Sequence, residues 1–198
     1  MQTAKDLQMR TASQFEILRS AQDDTLSYCD FAHDHPVHGP YHDSEYGFPV
    51  RDDDRLFERL VLEINQAGLS WLTILKKREA FRQAFAGFHI ERVARFTGHD
   101  RQRLMRNEGI IRNRLKIDAA IENAKRLRYL DSFAGWLEEH HPRSKEDWVR
   151  LFRETFVFTG GEITGSFLIS IGYLPGAHEE SCPVYQRILK LHPPWQSV

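Results

Sequence analysis

The sequence predicts an all-α protein, and three observations carry that prediction. From Asp52 onward the apolar residues recur at helical rather than alternating spacing. Ser, Asp and Gly punctuate that pattern where helices should begin and end. No two alternating apolar runs suggest a pair of strands. The chain has 198 residues, of which 41% are hydrophobic, enough for one compact domain or two closely packed lobes. Its formal net charge is −1, so a nucleic-acid partner would need a local basic patch rather than the field of the whole protein. No apolar run reaches membrane-span length and no secretory signal precedes the polar N-terminus, which makes a cytoplasmic monomer with no membrane partner the expectation.

Residues 1–26 are polar, with weak periodicity at Phe15, Ile17 and Leu18, and read as a loosely ordered extension to a domain over 27–198. Residues 28–50 hold four His, three Pro and two Gly, and read as loops. Asp52 to Asp54 favour a helix N-terminus. In that helix Leu56, Leu60, Glu63 and Ala67 share one face, so Glu63 interrupts an apolar stripe. Either Glu63 is a surface residue paired with Arg59 one turn back, or it looks into a polar pocket.

A reversal at Ala67-Gly68-Leu69 follows, and Ser70 is placed to cap a helix running to about Phe85. His89 to Phe96 and Arg101 to Arg106 read as short helices. A long one starts near Arg114 and continues through Ile117, Ile121, Ala124 and Leu127. Ser144 opens the helix carrying Trp148, Leu151 and Phe152 in a capping-box-like pattern. Gly160-Gly161 precedes a last helix through Ile163, Phe167, Leu168 and Ile171.

Three constellations could carry chemistry. Cys29 and His42 lie in the N-terminal loops, while His178 and Cys182 stand at i, i+4, a spacing expected on one side of a helical turn. Cys₂His₂ is a common structural zinc set. His33, His35 and His38 compete with His42 on composition, and two unlinked buried cysteines are the plain alternative. The second constellation runs from Asn107 to Ile117. Gly109 suits a tight turn, Ile110 and Ile111 could pin it to the core, and Arg112, Arg114 and Lys116 cluster at the start of the next helix. That reads as a helix-hairpin-helix over about 100–128 that holds DNA phosphates, or as an ordinary turn with solvated charges. The third is aromatic: Tyr41, Tyr46 and Trp71 flank the Glu63 helix, with Phe31 upstream. They could sandwich a flat, electron-poor ring or simply fill the core.

From Cys29 to about Cys182 the chain resembles the DNA-3-methyladenine glycosylase I family, alkylation-repair enzymes of bacteria in the helix-hairpin-helix superfamily. The segments YHDSEYG, LEINQAGLSWLTILKKREAFRQAF and GIIRNRLKI carry the resemblance, together with the two Cys/His spacings. It implies one structural zinc on Cys29, His42, His178 and Cys182. It implies that Glu63 recognises the base, that Tyr41, Tyr46 (usually Trp in the family), Trp71 and Phe31 line the pocket, and that Leu69 fills the gap in the duplex. The DNA-binding set becomes Leu69, Gly109, Ile111, Arg112, Arg114 and Lys116.

The implied activity is hydrolysis of the N-glycosidic bond of alkylated purine, 3-methyladenine foremost, in double-stranded DNA, with Glu63 as catalytic residue. Two departures bear on selectivity: Glu162 replaces a usual Thr and Gly165 a usual Tyr in the helix that borders the family's pocket. The rival expectations are a paralogue with another lesion and a non-catalytic damage-binding protein.

Overall fold

The computed structural model describes residues 27–197. The reading of residues 1–26 as an extension falls outside them. Within the described residues the regular structure is helical throughout. The segment expected as loops contains two short helices, α1 (Tyr28–Ala32) and α2 (His38–Ser44). The sequence carried a signal for the first of them: Ser27 and Asp30 form a capping box, a polar device that a count of Pro and His overlooks.

The hub is α3 (Asp53–Gln66). Leu56, Phe57, Leu60, Val61 and Ile64 are fully buried on it. Around it pack α4 (Trp71–Ala84), α5 (Ile90–Val93), α7 (Arg114–Leu127), α8 (Phe133–His140) and α10 (Gly161–Ser170). The helix α6 (Gly98–Arg106) leans on α7, and α9 (Lys145–Thr155) on α10. The helix α11 (Pro183–Leu189) belongs to a small satellite core of Cys29, Cys182, Val184 and Ile188. Neither α8 nor α11 was evident from periodicity, because two turns are too short to establish it. Pro183 at the first position of α11 was the available cue.

The run Asp52-Asp53-Asp54 orients three helices. Asp52 caps its own helix by accepting from the Arg55 N–H at 2.8 Å. The Asp53 carboxylate accepts from the N–H groups of Phe133 and Ala134 at the start of α8, at 3.0 and 2.8 Å. Asp54 accepts from the Ile90 N–H at the start of α5, at 2.8 Å. Each carboxylate satisfies otherwise orphaned donors and complements a helix dipole.

The reversal after α3 is a type II turn. Ala67 stands at φ −49°, ψ 115°, Gly68 at φ +80°, and the Leu69 N–H donates to the Gln66 carbonyl at 2.7 Å. The positive φ requires Gly68. Ser70 then caps α4 through the Thr73 N–H.

Candidate active site and metal cluster

Glu63 is buried, as are Tyr41, Tyr46 and Trp71. The rings are contiguous: Tyr41 lies 5.2 Å from Trp71 and 5.6 Å from Tyr46, centroid to centroid. The surface-pair reading of Glu63 does not hold. Arg59 turns instead to Glu45, at 2.6 Å, and stacks its guanidinium 4.7 Å from the centroid of the Tyr41 ring. One oxygen of Glu63 has no hydrogen-bond partner, and the Tyr41 hydroxyl and the Trp71 indole N–H share that condition. A buried polar group without a partner costs about 1–3 kcal/mol. Three in one ring-lined cluster are donors and an acceptor suited to a polar, flat ligand. Burial pushes Glu63 up to about 8 against the opposing pull of Arg59. Burial also raises the phenols of Tyr28, Tyr41 and Tyr46, and the Glu63 charge adds to each.

Two further members of this cluster are not assigned to it by the sequence, where His38 figures only as an alternative metal ligand. Tyr28 stands edge-on to Tyr46 at 5.5 Å, and its hydroxyl lies 3.2 Å from His38 Nδ1. His38 is buried, and desolvation followed by the neighbouring His35 pulls it down to about 4, so it is a neutral imidazole. Both were hidden among residues assigned to loops. Phe31 is half-exposed and packs on His35 and His38, at 5.2 and 5.3 Å, outside the Tyr41–Tyr46–Trp71 group.

Glu45 is the anchor behind the rings. It takes a bidentate pair from Arg78 at 2.6 and 2.8 Å besides the bond from Arg59. Arg78 and Arg82 also bond Glu58. Burial alone would raise the Glu45 carboxyl, but the Arg78 hydrogen bonds and the Arg59 charge outweigh it and hold it below the usual range. This network ties the end of α2, and so the Tyr41–Tyr46 segment, to α3 and α4.

Both departures from the family pattern lie on α10, which packs on the helix that bears Glu63. Glu162 is exposed in the first turn of α10. A Cβ on Gly165 would meet Lys145 Cε at 2.8 Å, so the lysine stem covers the space that a side chain there would need. On the same helix Thr164 is fully buried with an unpartnered hydroxyl.

Cys29, His42, His178 and Cys182 converge, with all ligand atoms within 4.8 Å of one another. Cys29 Sγ and Cys182 Sγ each lie 3.7 Å from His178 Nδ1, and Cys182 Sγ lies 3.8 Å from His42 Nε2. A sulfur–nitrogen edge of a tetrahedral site with ordinary zinc bond lengths is about 3.6 Å, so the donors fit a metal ion. The outer ring nitrogens are also assigned: His42 Nδ1 faces Asp43 at 2.6 Å and His178 Nε2 faces the Tyr46 carbonyl at 2.8 Å. Such outer partners fix the tautomer that leaves the inner nitrogen free to ligate. Burial, then the nearby Cys182, pushes the Cys29 thiol up to about 11, a cost that a bound cation would reverse. His178 and Cys182 do not share a helical turn as expected. They flank a non-helical turn in which the Cys182 N–H donates to the Glu179 carbonyl at 2.9 Å, and Cys182 caps α11.

The hairpin between α6 and α7 packs through buried Ile110 and partly buried Ile111. Gly109 is required for closeness rather than for a left-handed backbone, since its Cβ would meet Ala80 Cβ at 2.9 Å. Lys77 donates to the carbonyls of Glu108 and Gly109, at 2.9 and 3.2 Å, fastening the hairpin to α4. Arg112 and Arg114 are exposed, with only loose pairs to Glu108 at 3.5 Å and Asp118 at 3.6 Å. Such surface pairs leave the guanidinium groups available. Lys116 departs from the expectation of a phosphate contact. It is buried, and its ammonium donates to the carbonyls of Asn65 and Ala67 at 2.9 and 2.6 Å. Leu69 is partly buried beside the core, one residue beyond the turn glycine.

The sequence model of the methyladenine glycosylase family matches residues 31–146. A DNA-3-methyladenine glycosylase of Haemophilus influenzae is 44% identical over 97 residues, 49% of this chain and 52% of that protein. DNA-3-methyladenine glycosylase 1 of Escherichia coli is 46% identical over 100 residues, 50% of this chain and 54% of that protein. The chain thus spans about half the length of the curated relatives it matches. A solved structure of 3-methyladenine DNA glycosylase I from Staphylococcus aureus is 34% identical with a TM-score of 0.70, covering 79% of this chain and 95% of that one. With the family pattern matched over more than half its length and a shared fold at this identity, the chain belongs to the methyladenine glycosylase family.

Proposed function

We propose that this protein excises alkylated purine, 3-methyladenine foremost, from double-stranded DNA by hydrolysing its N-glycosidic bond. The observation that carries the reading is the buried, unpartnered Glu63 oxygen close to Tyr41 and Tyr46, with Trp71 against the Tyr41 ring. A relative in the same fold, 33% identical with a TM-score of 0.69, was solved in complex with 3-methyladenine.

The chemistry follows from the leaving group. Adenine alkylated at N3 is cationic in DNA, so its bond to the sugar is already weakened. Extrusion from the stack costs least for such a base. The aromatic faces hold the cation, and Glu63 accepts its N–H groups. Water then adds at the sugar carbon and loses a proton, while the glycosidic electron pair departs with the base and neutralises it. Leu69 fills the emptied position in the duplex, and the hairpin holds phosphates through Arg112, Arg114 and the helix N-terminus beyond Gly109 and Ile111. Zinc on Cys29, His42, His178 and Cys182 supplies a structural tie and takes no part in the reaction.

The test is a single-turnover release assay on methylated duplex DNA, with binding to abasic-site DNA measured alongside. The wild-type protein releases 3-methyladenine. Glu63→Gln exchanges an ionic acceptor for an amide and loses roughly ten- to a hundredfold in release, about 1.5–3 kcal/mol, with abasic-site binding nearly unchanged. Full activity in Glu63→Gln removes Glu63 from the mechanism. Tight binding by a wild-type protein that releases no base makes it a damage-binding protein.

A further inference from the structure

Lys116 stands in the first turn of α7, where the helix dipole disfavours a cation. Its side chain leaves that helix altogether. The buried ammonium donates to the carbonyls of Asn65, in the last turn of α3, and Ala67, within the turn that carries Leu69. α3 has no basic residue in its own last turn to serve these groups. A helix C-terminus is where a cation is favoured, and the terminal carbonyls are otherwise orphaned. One ammonium therefore joins three parts: the hairpin helix, the turn bearing Leu69, and the end of the helix bearing Glu63.

We propose that Lys116 is a positioning residue that locks the 66–69 turn to the hairpin, so that backbone docking and Leu69 insertion act as one rigid unit. This rests on the glycosylase reading above. Beyond the Lys116 bonds, the turn is held by its own Leu69 N–H to Gln66 carbonyl bond and by the partial packing of Leu69, neither of which ties it to the hairpin. Gln66 and Ala67 are partly exposed and Gly68 is exposed. With the ammonium gone, the hairpin still meets phosphates through Arg112 and Arg114, but the wedge is no longer presented at a set distance from them.

The experiment compares wild type, Lys116→Met, Leu69→Ala and the double variant. Three readouts are used: equilibrium binding to undamaged duplex across salt concentrations, fluorescence of 2-aminopurine placed next to a tetrahydrofuran abasic analogue, and single-turnover release of 3-methyladenine. Lys116→Met should keep the duplex affinity and salt slope of wild type, because no phosphate contact is lost. It should lose most of the 2-aminopurine enhancement and on the order of tenfold in release. The double variant should be no worse than Leu69→Ala alone, because both changes disable the same step.

A salt slope lowered by about one unit would make Lys116 a phosphate contact and overturn the proposal. So would losses that add in the double variant, or unchanged fluorescence and release with only a lower melting temperature. If Lys116→Met does not fold, Lys116→Gln, whose amide still reaches one carbonyl, takes its place in every arm. A wild-type protein that raises 2-aminopurine fluorescence without releasing base would defeat the glycosylase reading and leave the Lys116 proposal to the binding and fluorescence arms.

Discussion

At the residue scale, a carboxyl group with its pKa near 8 is a neutral acid in the free protein at pH 7. Under the proposed function, a cationic base entering beside it would favour the carboxylate, so binding of the charged lesion would be coupled to release of a proton. The same shift bears on stability. In the unfolded chain Glu63 ionises near 4.5, while in the folded protein it holds its proton up to about 8. Stability contributed by the proton is therefore full below 4.5 and is lost progressively as pH rises from there through 8. Glu63→Gln does not titrate. Its melting temperature relative to wild type should accordingly rise between pH 4.5 and 8, and a parallel pair of pH–melting curves would refute the buried neutral acid.

The position of Glu63 was legible because a single carboxylate broke an otherwise apolar stripe on α3. Lys116 was not, because a lysine beside two arginines at a hairpin looks the same in sequence whether it faces solvent or a distant carbonyl. Tyr28 and His38 were illegible for a related reason: their partners, Tyr46 and each other, meet only once α1 and α2 have folded back on one another.

At the scale of elements, short pieces decide the site. The long helices were readable from period and caps, with Ser70 and Ser144 in the capping positions expected of them. The short ones near the aromatic segment and the Cys/His cluster, and α8, were not, since two turns carry too few residues to display a period. The hairpin yields a prediction of its own. Arg114 has an 83% exposed side chain and only a loose ion pair. Arg114→Ala should weaken binding to all duplex sequences about equally and lower the salt slope by about one unit. Titration of undamaged DNA at several salt concentrations measures this. Unchanged affinity and slope would take the hairpin out of the DNA interface.

At the scale of the whole molecule, the Cys₂His₂ cluster joins segments at opposite ends of the described chain. His178 connects it to the pocket as well, through the carbonyl of Tyr46. Metal analysis of protein purified without chelator should find one zinc per chain. Cys182→Ala should lower thermal stability by several kcal/mol while the folded fraction retains base release, because the metal acts on the fold. Absence of metal from the purified protein, or loss of activity with no loss of stability, would contradict this assignment.

Cys29 and His178 are 149 residues apart. At ribosomal speeds that separation is on the order of ten seconds of synthesis, during which Cys29 waits as a lone thiol while the helices between form locally. The cluster can be completed only after α10 and the turn behind it have emerged. A metal bound by this cluster would therefore be captured late in biogenesis, and a cell short of the ion would accumulate chains whose helices are formed but whose Cys29 and Cys182 segments are still untied.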